Sequence, residues 1–245
     1  MRDATRQTVV WEALRAVLAE RAAAAGTGSL DIVDAGGGTG GFAVPLAGLG
    51  HRVTVVDPSP DALAALERRA AEAGVQVKGL QGDVTDLGEL LPPGCADVVL
   101  CHCTLEHVDD PAGALAAIGR VLRDDGVISV IAANSVAAAL HRALAGRFDE
   151  ASRVLGEPGG RWGDRDPMPR RFTREELVGL LTAAGFTVGD VHGVRIFTDI
   201  VPSMLAESDP GALIALERAA ASHPVFRDIA TQLHVIGRKR RPAGD

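Results

Sequence analysis

The spacing of hydrophobic and polar residues changes repeatedly along the chain, and this change predicts its architecture. Over residues 7–25 the apolar side chains Val10, Leu14 and Val17 recur at helical spacing, which indicates an amphipathic leading helix. Beyond it, short apolar runs alternate strictly with helix-like segments as far as a strand predicted at 127–131. Such strict alternation of strands and helices is typical of a parallel, doubly wound α/β sheet.

The predicted elements place the strands and one irregular insertion. We predict strands at 30–33, 51–57, 75–80, 95–101, 127–131, from 186 and at 231–237. Residues 134–172 interrupt this rhythm with a Pro/Gly-rich stretch, and long insertions without regular structure are usually lids or binding loops. Residues 134–175 contain eight arginines and six acids, which gives this segment a charge of +2 in a chain whose net charge is −7.

Composition narrows the class of protein. A hydrophobic content of 47% is ample for a core, and no apolar run approaches the ~20 residues of a membrane-spanning helix. Three clustered cysteines argue against a disulfide framework, and the N-terminus does not have the pattern of a secretory signal. The net charge of −7 gives no general support to nucleic-acid binding. We therefore expect a single cytoplasmic domain over residues 1–245 that is not associated with membranes, and the sequence does not reveal its oligomeric state.

The segment from Asp34 to Gly41, Asp-Ala-Gly-Gly-Gly-Thr-Gly-Gly, carries the strongest chemical signal. It lies between a predicted buried strand and a predicted helix start, where glycines let a ligand approach main-chain N–H groups. Gly36-x-Gly38-x-x-Gly41 fits a dinucleotide fingerprint, whereas Asp34-x-Gly36-x-Gly38-x-Gly40 fits an S-adenosylmethionine loop. The run alone leaves both cofactors open, with a plain surface loop as the third alternative.

Two acids downstream occupy positions that suit a nucleoside. Asp57 ends the second predicted strand, where a carboxylate can accept hydrogen bonds from both ribose hydroxyls. Asp83 follows the third strand, where it can accept from an adenine amino group while the next backbone N–H, that of Val84, reaches a ring nitrogen. An acid at the position of Asp57 is consistent with both cofactors. Asp83 favours S-adenosylmethionine over a dinucleotide.

The end of the fourth strand, Cys101-His102-Cys103, invites a metal interpretation that we reject. Zinc motifs use spaced pairs of ligands, and the chain has no second pair. Ligands of open parallel sheets bind beyond the carboxyl ends of the strands, so His102 is a plausible wall of the cofactor pocket. At the C-terminus, the basic run Arg238–Arg241 is expected to be a frayed, solvated tail.

Together these motifs resemble the class I S-adenosylmethionine-dependent methyltransferases, and most of all the tRNA 5-carboxymethoxyuridine methyltransferases. Besides the glycine corner, the likeness extends to Arg6-Gln7, Leu105-Glu106, Asn134 and the run from Gly193 to Phe197. The resemblance implies a Rossmann-like, seven-stranded α/β sheet with helices on both faces, a leading helix (1–25) and a lid insertion (134–172). It also implies cofactor contacts from a set of residues along the chain: Arg6, Asp34, Gly36, Gly37, Gly38, Asp57, Asp83, Val84 and His102.

The expected reaction is transfer of a methyl group to a tRNA carboxylate. A carboxylate is ionised at pH 7 and needs no general base, and arginine can clamp it through paired N–H donors. The candidates for this clamp are Arg195, Arg170 and Arg171. Methylation of a small molecule is the alternative, for which His107 or Glu106 could serve as base. A nicotinamide-dependent oxidoreductase and a cofactor-binding module without chemistry also stay open.

Overall fold

The fold was analysed in a computed structural model of the chain, which describes residues 2–157, 159, 166 and 168–241, with backbone only for residues 2–7. Strands and helices alternate as the sequence predicts. The strands are β1 Asp31–Ala35, β2 Arg52–Asp57, β3 Val77–Gln81, β4 Ala96–His102, β5 Leu122–Ala133, β6 Phe186–Val194 and β7 Gln232–Lys239. They form a seven-stranded sheet in the order β3-β2-β1-β4-β5-β7-β6, and β1 pairs in parallel with both β2 and β4. The predicted α/β class is confirmed.

Eleven helices are present in the described part of the chain. They are α1 Arg2–Ala25, α2 Ala43–Gly48, α3 Pro60–Glu72, α4 Leu87–Leu90, α5 Pro111–Val121, α6 Ser135–Leu144, α7 Phe148–Gly156, α8 Arg174–Ala183, α9 Ser203–Ser208, α10 Pro210–Ala221 and α11 Pro224–Asp228. The predicted stripe on α1 is buried, with Val10, Leu14 and Val17 each at most 9% exposed. No helix in the described residues is long and apolar enough to cross a membrane.

The contacts divide the chain into two compact units, which are described separately. The first unit consists of Met1–Leu14, Ile131–Gly179 and Asp190–Val235. The second unit consists of Arg15–Val130, Leu180–Gly189 and Ile236–Asp245. The glycine run and the acids that follow β2 and β3 all belong to the second unit. The expectation of one domain over the whole chain stays a prediction.

A network of charges holds the amino ends of β1 and β4 in the second unit. The carboxylate of Asp97 accepts from Arg21 at 3.3 Å and from the backbone N–H of Asp31 at 2.9 Å, and it pairs with Arg123 at 2.7 Å. Arg52 and Arg123 both reach Asp31. Because Asp97 is almost fully buried, its neighbouring arginines satisfy a charge that would otherwise be costly to bury.

The basic C-terminal run is ordered, so the prediction of a frayed tail is wrong. Lys239 Nζ donates to Leu122 O at 2.7 Å, and Arg240 donates to Phe186 O at 3.3 Å. Arg238 and Arg241 pair with Glu20 and Asp125 respectively. Carbonyls and acids distant in sequence therefore hold each side chain of the run, and sequence pattern carries no signal for such partners.

The insertion contains more regular structure than its composition predicts. Helix α7 occupies part of the stretch that was expected to be irregular. Asn134 caps the start of α6, since its side chain accepts from Val136 N at 3.0 Å. The sequence Thr173-x-x-Glu176 predicts a capping box at the start of a helix, and α8 has it: Glu176 N donates to Thr173 Oγ1 at 3.2 Å and Thr173 N donates to Glu176 at 2.7 Å. Between α7 and α8 the structure describes residues 157, 159, 166 and 168–173.

Candidate active site

The candidate cofactor site lies at the point where the sheet reverses its strand order. Strands β2 and β3 extend from one side of β1, and β4 pairs with its other side. Ligands of open α/β sheets bind outside the carboxyl ends of the strands at such a switch point. The carboxyl ends of β1 and β4 are linked here by a hydrogen bond, since Thr104 Oγ1, just beyond β4, donates to Ala35 O of β1 at 2.9 Å. The glycine run begins immediately after Ala35.

The backbone of the glycine run distinguishes between its two possible frames. Gly36, Gly38 and Gly40 have φ angles of +78°, +54° and +80°, a conformation that favours glycine. A Cβ at Gly36 would lie 2.3 Å from Thr104 Oγ1, and one at Gly40 would lie 2.3 Å from Leu66 Cδ1. Gly41, the third glycine of the dinucleotide frame, has no such φ angle, and its Cβ would meet nothing within 4 Å. The geometry therefore follows Asp34-x-Gly36-x-Gly38-x-Gly40.

Asp34 lies beneath this loop and is only 3% exposed. A Cβ at Gly37 would approach the Asp34 Cγ to 2.6 Å, so the missing side chain makes room for the carboxyl group. Burial, and to a smaller extent the charge of Asp57, raises the pKa of Asp34 to about 7. A cation close to this carboxyl group would favour its ionised form.

The carboxylate of Asp57 is fixed by two backbone donors. Its Oδ2 accepts from Gly38 N at 2.8 Å, and its Oδ1 accepts from Ser59 N at 2.9 Å. A carboxylate has about four acceptor positions, so each oxygen keeps capacity for one more donor. A vicinal diol such as the 2′- and 3′-hydroxyls of ribose would supply two such donors.

Asp83 and Val84 follow β3 and begin a single 3₁₀ turn, Val84–Asp86. Asp83 Oδ1 accepts from Thr85 N at 3.0 Å and from Thr85 Oγ1 at 2.9 Å, while Asp83 N donates to Asp86. The second oxygen of Asp83 is not used by this cap. The same acid can thus end the strand and accept from a ligand.

These groups share one cavity of about 240 Å³. It is lined by Gly36, Asp57, Pro58, Asp83, Val84, Cys103, Thr104, His107 and Val108. A larger groove of about 990 Å³ lies at the amino ends of β1, β2 and β3, the opposite edge of these strands. We place the cofactor in the smaller cavity because its lining contains Gly36 of the glycine run and the two acids suited to a nucleoside, Asp57 and Asp83.

His102 ends β4 and is partly buried. Its ring meets Phe42 edge to face with centroids 4.6 Å apart, and Nε2 lies 2.8 Å from Ser129 Oγ. Burial lowers the pKa of His102 to about 3, so its imidazole is neutral at pH 7. The next residue, Cys103, has a left-handed φ of 55° and is exposed, whereas Cys101 is buried. Within the described residues, no group of His, Cys, Asp or Glu is arranged to hold a metal ion.

Four residues of the predicted site, Arg6 and the three candidate clamp arginines, belong to the first unit. The backbone of Arg6 belongs to α1, but its side chain lies outside the described residues. The three candidate clamp arginines belong to the first unit, whereas the cavity belongs to the second. Each unit is therefore considered for its own geometry.

Arg195 follows β6 and has a left-handed φ of 60°, which is unusual for a residue with a side chain. Its Nη2 lies 2.5 Å from Asp199 Oδ2, and its Nε is buried without a hydrogen-bond partner among the described residues. Arg171 is buried and forms a two-pronged ion pair with Asp166, at 2.5 Å and 3.1 Å. Arg170 is partly exposed.

Sequence reasoning missed several residues that shape these regions. Thr104 was not singled out, although it connects the ends of β1 and β4. Glu217 of α10 accepts hydrogen bonds from the loop that follows Arg195, and Asp199 pairs with that arginine. Burial lowers the pKa of His141 in α6, while the charge of Asp199 raises it and the charge of Arg195 lowers it. The only sequence signal for these residues is an acid inside an otherwise apolar helix, as with Glu217.

Comparison with known proteins connects this geometry to a family. A family described as a methyltransferase domain matches residues 33–130. The tRNA 5-carboxymethoxyuridine methyltransferase of Escherichia coli K12 is 30% identical over 96% of this chain and 88% of its own. A ubiquinone biosynthesis O-methyltransferase of Methylobacterium nodulans is 31% identical over 79% of this chain and 74% of its own.

The chain belongs to the S-adenosylmethionine-dependent methyltransferase family. This confirms the predicted enzyme class and the predicted cofactor. A solved methyltransferase from Mesorhizobium loti shares the fold, with a TM-score of 0.64 and 22% identity over 98% of this chain and 100% of the other. The described residues fit the donor, because left-handed Gly36, the fixed Asp57 carboxylate and Asp83 line one cavity.

Proposed function

We propose that this methyltransferase methylates the carboxylate of 5-carboxymethoxyuridine in tRNA. The observation that carries the proposal is the extent of the match with the Escherichia coli tRNA enzyme, which covers 96% of this chain. That match includes the insertion and the region beyond β6, where acceptor contacts are expected. An RNA acceptor of this kind would place the enzyme in the cytoplasm.

We assign the donor to the cavity of the second unit. When bound, S-adenosylmethionine supplies an electrophilic methyl group on a sulfonium centre. Asp57 would accept from the ribose hydroxyls, Asp83 from the adenine amino group, and Val84 N would donate to the ring. Gly36, Gly37 and Gly38 allow close approach of the main chain, with Asp34 beneath them. Neutral His102 ends β4 but is not among the residues that line the cavity, so we assign it to the cofactor on the family resemblance. Arg6 stays in the assignment on the family resemblance alone.

We assign the acceptor carboxylate to Arg195. Its left-handed backbone and its pairing with Asp199 hold the guanidinium in one place, and further N–H donors remain beyond the Nη2 that Asp199 engages. Arg170 is the second member of this clamp. Arg171, the third candidate from the sequence, is engaged by buried Asp166, so we assign it a supporting role.

The proposed reaction requires no general base from the protein. The acceptor oxygen is already anionic at pH 7, and it forms the new C–O bond as the C–S bond of the donor breaks. Catalysis then rests on alignment, which can contribute up to ~7–11 kcal/mol where near-attack geometry is enforced. An arginine clamp that fixes the carboxylate provides such alignment.

Methylation of a small hydroxyl-bearing acceptor is the second candidate function. It is favoured by the match to the ubiquinone biosynthesis O-methyltransferase, which covers 79% of this chain. A neutral hydroxyl would need a base, and His107 is an exposed side chain on the cofactor cavity. Glu106 is almost fully buried and is the less accessible of the two bases that the sequence suggested.

One assay separates the two functions. The enzyme is given methyl-labelled S-adenosylmethionine with an RNA that carries 5-carboxymethoxyuridine, with the same RNA carrying uridine, or with a set of small phenols and acids. We expect label only in the modified RNA, in a methyl ester that mild alkali removes. Label in a small acceptor, or alkali-stable label in RNA, would contradict the proposal.

A further inference from the structure

Glu217 is a buried acid that has no part in the proposed reaction. It lies in α10 and is 3% exposed. Its Oε2 accepts from Ile196 N at 2.9 Å, and its Oε1 accepts from Phe197 N at 2.9 Å and Thr198 N at 2.8 Å. Thr198 Oγ1 also donates to Oε1, at 2.7 Å. One carboxylate thus collects three consecutive backbone N–H groups and a hydroxyl.

These three N–H groups belong to the residues immediately after Arg195. The chain leaves β6 at Val194, turns at Arg195 through its left-handed φ of 60°, and presents the next three N–H groups to Glu217. Successive N–H groups that converge in this way form an anion-binding nest. A left-handed conformation costs a residue with a side chain of the order of 1–2 kcal/mol, and it persists only where its surroundings fix it.

The far end of the same loop is fixed as well. Val201 N donates to Phe197 O at 2.8 Å, and Ile196 packs in a cluster with Ala220 and Ala230. Asp199, which lies within the loop, holds Arg195 Nη2 at 2.5 Å. Glu217 therefore fixes the backbone on the C-terminal side of Arg195, and Asp199 fixes the side chain of Arg195.

We propose that Glu217 is the positioning residue for the acceptor clamp, in that its carboxylate holds residues 196–198 so that Arg195 keeps the conformation that meets the acceptor. This inference rests on the proposed function, because it assigns Arg195 to the acceptor carboxylate. The role requires both oxygens of a carboxylate. A glutamine would place an NH₂ group against at least one backbone N–H, and a donor facing a donor forms no hydrogen bond.

The test compares Glu217→Gln with Asp209→Ala, a matched control at the N-cap of the same helix. Asp209 caps α10 by accepting from Ala212 N at 2.9 Å and contacts no part of the loop through this bond. Both variants remove hydrogen bonds to backbone N–H groups, but only Glu217→Gln disturbs residues 196–198. Arg195→Ala and the Arg195→Ala/Glu217→Gln double variant complete the set. The readouts are kcat and KM for the modified RNA, KM for the donor, and amide hydrogen exchange of residues 196–198.

We expect Glu217→Gln to lower kcat/KM for the RNA by about 100-fold, as for a misplaced alignment group, with the donor KM unchanged. It should accelerate amide exchange at 196–198, and it should add no further loss of kcat/KM in the Arg195→Ala background, since both changes disable one clamp. Asp209→Ala should lower Tm and leave kcat/KM for the RNA as in the wild type.

Three outcomes would overturn the inference. They are unchanged exchange at 196–198 in Glu217→Gln, an unchanged kcat/KM for the RNA in that variant, and a further loss in the double variant equal to that in the single one. Failure of the proposed function looks different. In that case the wild-type enzyme does not methylate the modified RNA, although it binds the donor, and exchange at 196–198 still responds to Glu217→Gln.

Discussion

Two buried acids, Asp34 and Glu217, are equally inaccessible to solvent but have different surroundings and different roles. Both are 3% exposed. Glu217 receives four hydrogen bonds from residues 196–198 of its own chain, which use it to shape a loop. Asp34 instead lies under the glycine corner, where burial and then Asp57 raise its pKa to about 7. Glu217 is therefore part of the scaffold, whereas the ionisation of Asp34 can respond to a cationic ligand.

The largest expected effect tests the glycine corner itself. Gly36→Ala would impose a Cβ at a φ of +78° and 2.3 Å from Thr104 Oγ1. We expect this change to weaken binding of S-adenosylhomocysteine by more than about 100-fold, because the loop must shift where the ligand meets it. Isothermal titration calorimetry measures the effect.

Gly41→Ala is the matched control for that change. A Cβ at Gly41 would meet nothing within 4 Å, so binding should stay within about twofold of the wild type. If both alanine variants lose binding equally, the loop follows the dinucleotide frame, and the assignment of Gly36, Gly38 and Gly40 to the donor loop is wrong.

The next effect is a pH dependence of donor binding that arises from Asp34. Its pKa of about 7 means that the ligand-free protein holds a proton there in mild acid, and a cationic donor favours the ionised carboxylate. Affinity for S-adenosylmethionine should therefore rise from pH 5.5 to about 7, by up to about tenfold per pH unit, and then level off. The measurement is the Kd across this range, and a flat wild-type profile would contradict the assignment.

Stability without donor should change in the opposite direction. The folded state holds the Asp34 proton more tightly than the unfolded state, whose pKa is near 3.8. This contribution is full below pH 3.8 and is lost as pH rises through about 7. Asp34→Asn should remove both trends, whereas Asp61→Asn, at an exposed position in the first turn of α3, should leave both in place.

The smallest effect concerns Arg240, a cation whose hydrogen-bond partners lie within its own chain, as do those of Glu217. Arg240 donates to the carbonyls of Thr182 and Phe186. Arg240→Ala should lower the free energy of unfolding by about 1 kcal/mol without changing donor affinity. Arg241→Ala removes only an exposed ion pair with Asp125 and should leave the free energy of unfolding close to that of the wild type. Urea denaturation distinguishes the two variants, and equal losses would contradict the docked arrangement of Arg240.

The same contrast explains how much the sequence could predict. The cofactor corner is local: Asp34 and three glycines within seven residues adopt their conformations immediately after β1, and Ser59 caps α3 directly after Asp57. Periodicity and turn chemistry are sufficient to locate such features. The helix start at Thr173 was predictable for the same reason, because Glu176 is three residues away.

What escaped prediction depends on partners that are distant in sequence. Glu217 meets Ile196 across 21 residues, and Lys239 meets Leu122 across 117. Neither pairing leaves a pattern in the chain near either residue. Strand β5 begins at Leu122, earlier than the predicted 127, and it continues through Asp125, whose φ of 58° is left-handed. The sequence Asp-Asp-Gly at residues 124–126 is typical of a turn, so local sequence predicts a later start of the strand.

The most direct test of the proposed acceptor chemistry is kcat/KM for RNA carrying 5-carboxymethoxyuridine, measured for wild type, Arg195→Lys and Arg195→Ala. Arg68→Lys, at an exposed position of α3, is the control and should keep the wild-type value. If Arg195 clamps the carboxylate with paired donors, lysine keeps the charge but loses the pairing. We predict losses of about tenfold for Arg195→Lys and about 100-fold or more for Arg195→Ala, with donor Kd unchanged in both. An Arg195→Ala enzyme with wild-type kcat/KM would contradict the account.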